Sequence, residues 1–174
     1  MRVSRIGNDF CRCIGVKGVE LIKICFAGQV HDIGKFSISS DLLAKPGELT
    51  AEEIDILHSH SELGAIQLSK SSVISKDIID IVRHHHESYD GSGYPDGLRK
   101  GQIPFGARIL KICDVYDALT NRREYRRIIY RKDIALQVMQ SMKNEFDPEL
   151  LEKFNRFVIF SILNSPPMDN VASL

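Results

Sequence analysis

No stretch of this chain is long and apolar enough to span a bilayer. The most apolar run, Phe157 to Leu163, is far too short, and charged residues interrupt the rest. Net charge is missing too: 23 Lys and Arg balance 23 Asp and Glu. No global field therefore argues for nucleic acid or a membrane surface as partner. The first seven residues hold two arginines and no apolar signal-peptide core. Among Cys11, Cys13, Cys25 and Cys113 there is no Cys-x-x-Cys spacing. That argues against a zinc knuckle or disulfides and for reduced, mostly buried thiols in a cytoplasmic protein. Strand-like alternation is scarce, and there is no internal repeat or low-complexity tract. What remains is a 174-residue chain, enough for one domain with a sizeable core.

The periodicity that is present is helical. Val19 to Asp32 reads as a helix stopped by Gly34, and Thr50-Ala51-Glu52-Glu53 as a capping box opening a helix that reaches about Ser69. Ile74, Ile78, Ile81 and Val82 mark a further face that ends at a histidine cluster. Ser88 to Gly101 is a glycine-rich loop. Pro104 starts a helix that runs to about Leu119, and Asp133 to Lys143 forms another. Asp147-Pro148-Glu149 is an N-cap with proline at the first helical position, opening the last helix. The tail, with Pro166-Pro167, is expected to be partly disordered.

Helical phase sorts the six histidines. His60 falls four residues after Ile56 and three before Leu63, on an apolar stripe, whereas His58 shares its face with Asp55 and Glu62. His85 follows Ile78 and Ile81, His86 follows Val82, and His84 lines up with Asp77 and Asp80. His31 continues Ile24 and Ala27. Four imidazoles are thus expected inside, and two, His58 and His84, in water. Burying four imidazoles is costly unless each finds a partner, and a shared metal supplies one. Asp32 and Asp114 add inward carboxylates that would be expensive if unpaired. Imidazole and carboxylate without thiolate suit Fe or Mn better than a structural Zn.

These residues carry a resemblance. His31-Asp32 with Gly34-Lys35, the Lys45-Pro46-Gly47 turn, and His60 with Gly64 resemble an HD-superfamily phosphohydrolase. His85-His86-Glu87, followed by Asp90, Gly91 and Gly93-Tyr94-Pro95, resembles its HD-GYP family. Ile103-Pro104, Ala107-Arg108, Asp114 to Thr120 and Phe146-Asp147-Pro148 match as well, so the likeness runs from about Arg2 to about Phe157. It implies an all-α, HD-type helical bundle over residues 1–160, with 161–174 as a tail. It implies two divalent metals, three in some members, and hydrolysis of the bacterial messenger cyclic di-GMP to linear pGpG.

By that resemblance His31, Asp32, His60, His85, His86 and Asp114 fall on metal-ligand positions, the same set that periodicity turns inward. Asp32 would bridge two metals and help generate the attacking hydroxide, and Lys35 would offset phosphate charge. Arg123 and Arg126 fall where the family contacts the dinucleotide's phosphates, a task that suits guanidinium. Glu124 stands where a proline is common and puts an acid among them. Glu87 and Asp90 are expected to orient ligands and loop backbone rather than touch metal. The Gly-Tyr-Pro loop is read as a wall of the substrate entrance and a docking surface for GGDEF-domain proteins. An upstream sensor or receiver domain is a further expected partner. Arg2-Val3 matches a pair that follows the family's N-terminal ligand, which places that ligand before Met1. The resemblance thus implies either a first helix truncated at its start or a centre of two metals. Two alternatives stand beside the leading reading. One is another cyclic dinucleotide or nucleotide as substrate, and the other a catalytically weak regulatory module.

Overall fold

The computed structural model describes residues 2–121 and 128–164, and among these there is no strand. In chain order the helices are α1 (Arg2–Cys13), α2 (Gly18–Val30), α3 (Ser40–Leu43), α4 (Ala51–His58) and α5 (His60–Ser69). They continue with α6 (Lys76–His84), α7 (Phe105–Thr120), α8 (Lys132–Ser141) and α9 (Pro148–Leu163). Short 3-10 turns occupy Ile33–Ser37, Lys100–Gln102 and Lys143–Glu145. Among the described residues no helix is long and apolar enough to cross a membrane.

The bundle is built around α7. Its buried residues Ala107, Ile109, Leu110, Ile112, Cys113 and Tyr116 cover far more than one stripe. A helix this apolar must be enclosed, and α1, α2, α6, α8 and α9 all pack on it. The centre of the core is aromatic. Phe10 meets Phe154 edge to face at 5.0 Å, and Phe154 meets Tyr116 at 5.2 Å. Cys11 and Cys113 are buried among these side chains, whereas Cys13 is exposed, and all four cysteines are free thiols.

The expected caps are in place. Thr50 Oγ1 accepts from Glu53 N at 3.3 Å while the Glu53 carboxylate accepts from Thr50 N at 2.9 Å. Asp147 Oδ1 accepts from the N–H groups of Glu149 and Leu150, with Pro148 behind it. The last helix runs to Leu163, three residues into the range read as tail, and 165–174 lie outside the described residues.

One helix is not as expected. The segment from Thr50 to Ser69 is two helices, parted at Ser59. Ser59 Oγ donates to the Ile56 carbonyl at 2.7 Å, and His60 Nδ1 donates to that of Leu57 at 2.5 Å. Side chains that occupy backbone acceptors in this way compete with the helical ladder. Ile56, expected to share a stripe with His60, is 49% exposed, whereas His60 is buried. His60 is inside as the first residue of a separate helix, α5, and not as a continuation of the face of α4.

Gly34 explains how the turn after His31 meets the helix that His60 opens. A Cβ there would lie 1.9 Å from the His60 carbonyl oxygen and 2.6 Å from Gly64 N. Only a residue without a side chain lets the turn after His31 rest directly on α5.

Candidate metal centre

His31 caps the C-terminus of α2, His60 opens α5, and His85 and His86 follow the last turn of α6. Asp114 enters from the middle of α7. These ends and faces converge. The ring centroids lie 5.2 Å apart for His31 and His85, 5.4 Å for His60 and His85, 4.9 Å for His60 and His86, and 4.0 Å for His85 and His86. Asp32 reaches both sides: Oδ2 is 3.5 Å from His31 Nε2, and Oδ1 is 3.6 Å from His60 Nε2. Asp114 Oδ1 is 4.0 Å from His31 Nε2. One ligating atom from each of His60, His85 and His86 falls within 4.8 Å of the others.

The tautomers follow from local chemistry. His31 Nδ1 faces the Gly28 carbonyl at 3.0 Å, His60 Nδ1 that of Leu57, and His85 Nδ1 that of Val82 at 2.6 Å. A carbonyl only accepts, so Nδ1 carries the proton in each ring and Nε2 presents a lone pair to the shared space. This is the arrangement by which backbone carbonyls orient metal-ligating imidazoles. His85 Nε2 is buried with no hydrogen-bond partner. A buried polar atom left so is expensive, and a cation at the centre would satisfy it.

Electrostatics point the same way. Burial, and then the neighbouring His31 and His60, hold His85 well below its ordinary pKa against the pull of the Val82 carbonyl. Burial also holds His86 well below and His60 below the usual value. Burial would raise Asp32, but the facing His31 and the Lys35 ammonium, 2.7 Å from Oδ1, outweigh it and bring the carboxyl down to about 2. At neutral pH His60, His85 and His86 therefore offer neutral imidazoles and Asp32 an ionised carboxylate, which is the protonation state that metal binding requires. The residues present fit a divalent metal centre.

All six ligand candidates are thus brought together, with Lys35 beside them. Arg123 and Arg126, together with Glu124, lie outside the described residues. Two expectations need correction. His84 is not on a wet face: its side chain is 12% exposed, with Nδ1 facing the Asp80 carbonyl and Nε2 facing Asp96 Oδ2, both at 2.8 Å. His58 does not point into water either, for its ring stacks on Tyr94 at 3.7 Å. In both cases the glycine-rich loop covers what helical phase left open.

That loop is anchored from beneath by Glu87, which is 1% exposed. Its carboxylate accepts from Asp96 N at 2.7 Å and Leu98 N at 3.0 Å, so it orients loop backbone as expected. Asp90 Oδ1 accepts from Ser92 N at 3.0 Å. A Cβ on Gly93 would stand 2.2 Å from Ser88 N, so the backbone here has room for glycine alone. The sequence reading missed Arg83, which joins Glu62 to Asp96 at 2.9 Å and so ties α5, α6 and the loop together. It also missed Lys111, whose Nζ lies 3.3 Å from the His86 carbonyl and from Ser88 Oγ. Lys111 stands three residues before Asp114 on α7, a spacing that could have signalled it.

This is a helical bundle whose histidines and aspartates converge on one space that could hold a metal ion. The HD domain family matches residues 1–150, and the chain belongs to that family, in its HD-GYP branch. Over 132 residues it is 39% identical to a cyclic di-GMP phosphodiesterase of Pseudomonas aeruginosa, covering 76% of this chain and 32% of that protein. It is 38% identical over 152 residues to 3'3'-cGAMP-specific phosphodiesterase 2 of Vibrio cholerae, covering 87% of this chain and 29% of that one. The chain thus spans about a third of the length of these relatives. An HDG"Y"P protein from Bdellovibrio bacteriovorus has the same fold, with a TM-score of 0.74 at 18% identity, over 94% of this chain and 51% of the other.

Proposed function

We propose that this domain is a metal-dependent phosphodiesterase that hydrolyses cyclic di-GMP to linear pGpG. The observation that carries the reading is the convergence of four imidazoles and two carboxylates on one space. Three of the rings are locked by backbone carbonyls with Nε2 turned inward, and His85 Nε2 lacks any other partner. His31, Asp32, His60, His85, His86 and Asp114 would hold two divalent metals, Fe or Mn by the chemistry of the donors. Bound metals acidify water and clamp the attacking and leaving oxygens of a phosphodiester. Lys35 holds Asp32 in place and sets an ammonium where a phosphate's charge would need offsetting. Arg123 and Arg126 would grip the phosphates in bidentate fashion. GGDEF-domain proteins at the Gly-Tyr-Pro loop, and an upstream sensor or receiver domain, complete the proposed setting.

A second reading differs in substrate alone. The likeness to a 3'3'-cGAMP-specific enzyme is nearly as high as that to the cyclic di-GMP enzyme, so the hybrid dinucleotide is its proper competitor. One experiment serves both. Protein loaded anaerobically with Fe or Mn is assayed for metal content and for turnover of each dinucleotide. Roughly two metals per chain and faster turnover of cyclic di-GMP are expected. Faster turnover of cGAMP would favour the second reading, and full metal loading without turnover of either would overturn both.

A further inference from the structure

We propose that Tyr94 is a positioning residue for His86 and that His58 backs it, making the Gly-Tyr-Pro loop part of the support of the metal centre. The inference rests on the metal-centre reading above. His31, His60 and His85 are each fixed by a hydrogen bond from Nδ1 to the carbonyl three residues earlier. His86 has no such clamp. Among the described residues no carbonyl lies within hydrogen-bond distance of its ring, and its Nε2 meets His60 Nε2 at 3.1 Å.

What His86 has instead is a neighbouring aromatic face. The Tyr94 ring stacks on it at 4.8 Å with 25° between the planes. Tyr94 is in turn stacked with His58 at 3.7 Å and 12°. Stacking restrains the plane of an imidazole without occupying either nitrogen, so it can do what the carbonyls do for the other rings. Tyr94 is itself poorly able to drift. Glu87 holds the backbone at Asp96 and Leu98, and Arg83 and His84 both grip the Asp96 carboxylate. His58 is available to Tyr94 because it is the last residue of α4, where the break at Ser59 interrupts the chain's path into α5.

The test strips the protein with a chelator and titrates it with Mn²⁺ and Co²⁺, following affinity by calorimetry and ligation by the visible spectrum of the cobalt form. Tyr94→Leu should weaken metal binding by about 10- to 100-fold, the usual effect of removing a residue that orients a ligand. It should also change the cobalt spectrum, whereas Tyr94→Phe keeps the stack and should match the parent in both. His58→Ala should weaken binding by about 2- to 10-fold, and His58→Phe should restore it. His58 is half-buried at a helix end, so this pair tests the proposal even if Tyr94→Leu fails to fold. Parent-like affinity and spectrum in Tyr94→Leu would overturn the proposal. So would equal losses in Tyr94→Phe and Tyr94→Leu, or failure of His58→Phe to recover what His58→Ala loses. A parent protein that takes up neither metal would overturn the metal-centre reading itself, and this inference with it.

Discussion

Stripped of metal, this domain should lose stability steeply on mild acidification. Burial above all, and then neighbouring imidazoles, hold His85 and His86 well below an ordinary pKa of 6.5. In the unfolded chain the same side chains titrate normally. As the pH falls through 6.5, the unfolded state therefore takes up protons that the folded state refuses. With more protons bound to the unfolded chain, stability rises with pH and is lost as acid is added. Between about pH 7.5 and about pH 5.5, each histidine that stays neutral withdraws about 1.4 kcal/mol, so the pair withdraws about 3 kcal/mol. His60, also lowered by burial, acts in the same direction. Asp32 does not contribute in this window. Its depressed carboxyl gives stability that disappears only as the pH falls from 3.8 towards about 2. Against a total of about 5–15 kcal/mol for a domain, the expected loss is large. Urea unfolding of chelator-treated protein at a series of pH values measures it, and His85→Leu should remove roughly half of the slope assigned to the pair. A flat profile in the parent, or an unchanged slope in His85→Leu, would refute the reasoning.

Gly34→Ala should be damaging beyond its size, because the new methyl would meet the His60 carbonyl at 1.9 Å and backbone cannot yield as a side chain can. A loss of about 1–3 kcal/mol or more in thermal unfolding is expected, with reduced metal uptake as His60 is displaced. Arg123→Ala and Arg126→Ala should each weaken cyclic di-GMP binding by about one to two decades at unchanged metal content, as for a lost charge-assisted hydrogen bond. Glu124→Gln should act in the opposite sense. Arg127→Ala is the control, since this neighbouring arginine is read from the sequence only as part of a solvated face, and an equal loss there would reduce the effect to bulk electrostatics. Glu87→Gln should free the Gly-Tyr-Pro loop, seen as faster amide exchange at Asp96 and Leu98, the two residues whose N–H groups its carboxylate holds.

The helices α4 and α9 were legible because their start signals are local. Thr50, Asp147 and Pro148 announce their helices within four residues, and each cap forms as its side chain requires. The break at Ser59 was not legible, since hydrophobic spacing runs through it unchanged. What parts the helices is the competition of Ser59 and His60 for the carbonyls of Ile56 and Leu57. His60 was therefore placed correctly on a faulty premise, for the residue that justified it, Ile56, lies in solvent.

The errors at His58 and His84 share a cause that bears on how such a site is built. Helical phase reports which face of a helix its own bundle covers, and both residues do lie away from that face. It carries no information about a loop folded back from a dozen or more residues downstream, and here the loop is what meets them. Tyr94 reaches His58, Asp96 reaches His84, and Glu87 beneath holds the loop in register for both. Three of the four imidazoles are oriented by carbonyls three residues away, so their geometry is written into the chain at short range. The fourth, His86, is oriented across the loop, at a range that periodicity cannot see. A change in the loop should then alter the centre through His86 before it alters His31, His60 or His85. Metal-loaded variants of Tyr94 should accordingly show a disturbed His86 resonance while the other three histidines keep theirs. Uniform disturbance of all four would mean that the loop acts on the fold as a whole and not on one ligand.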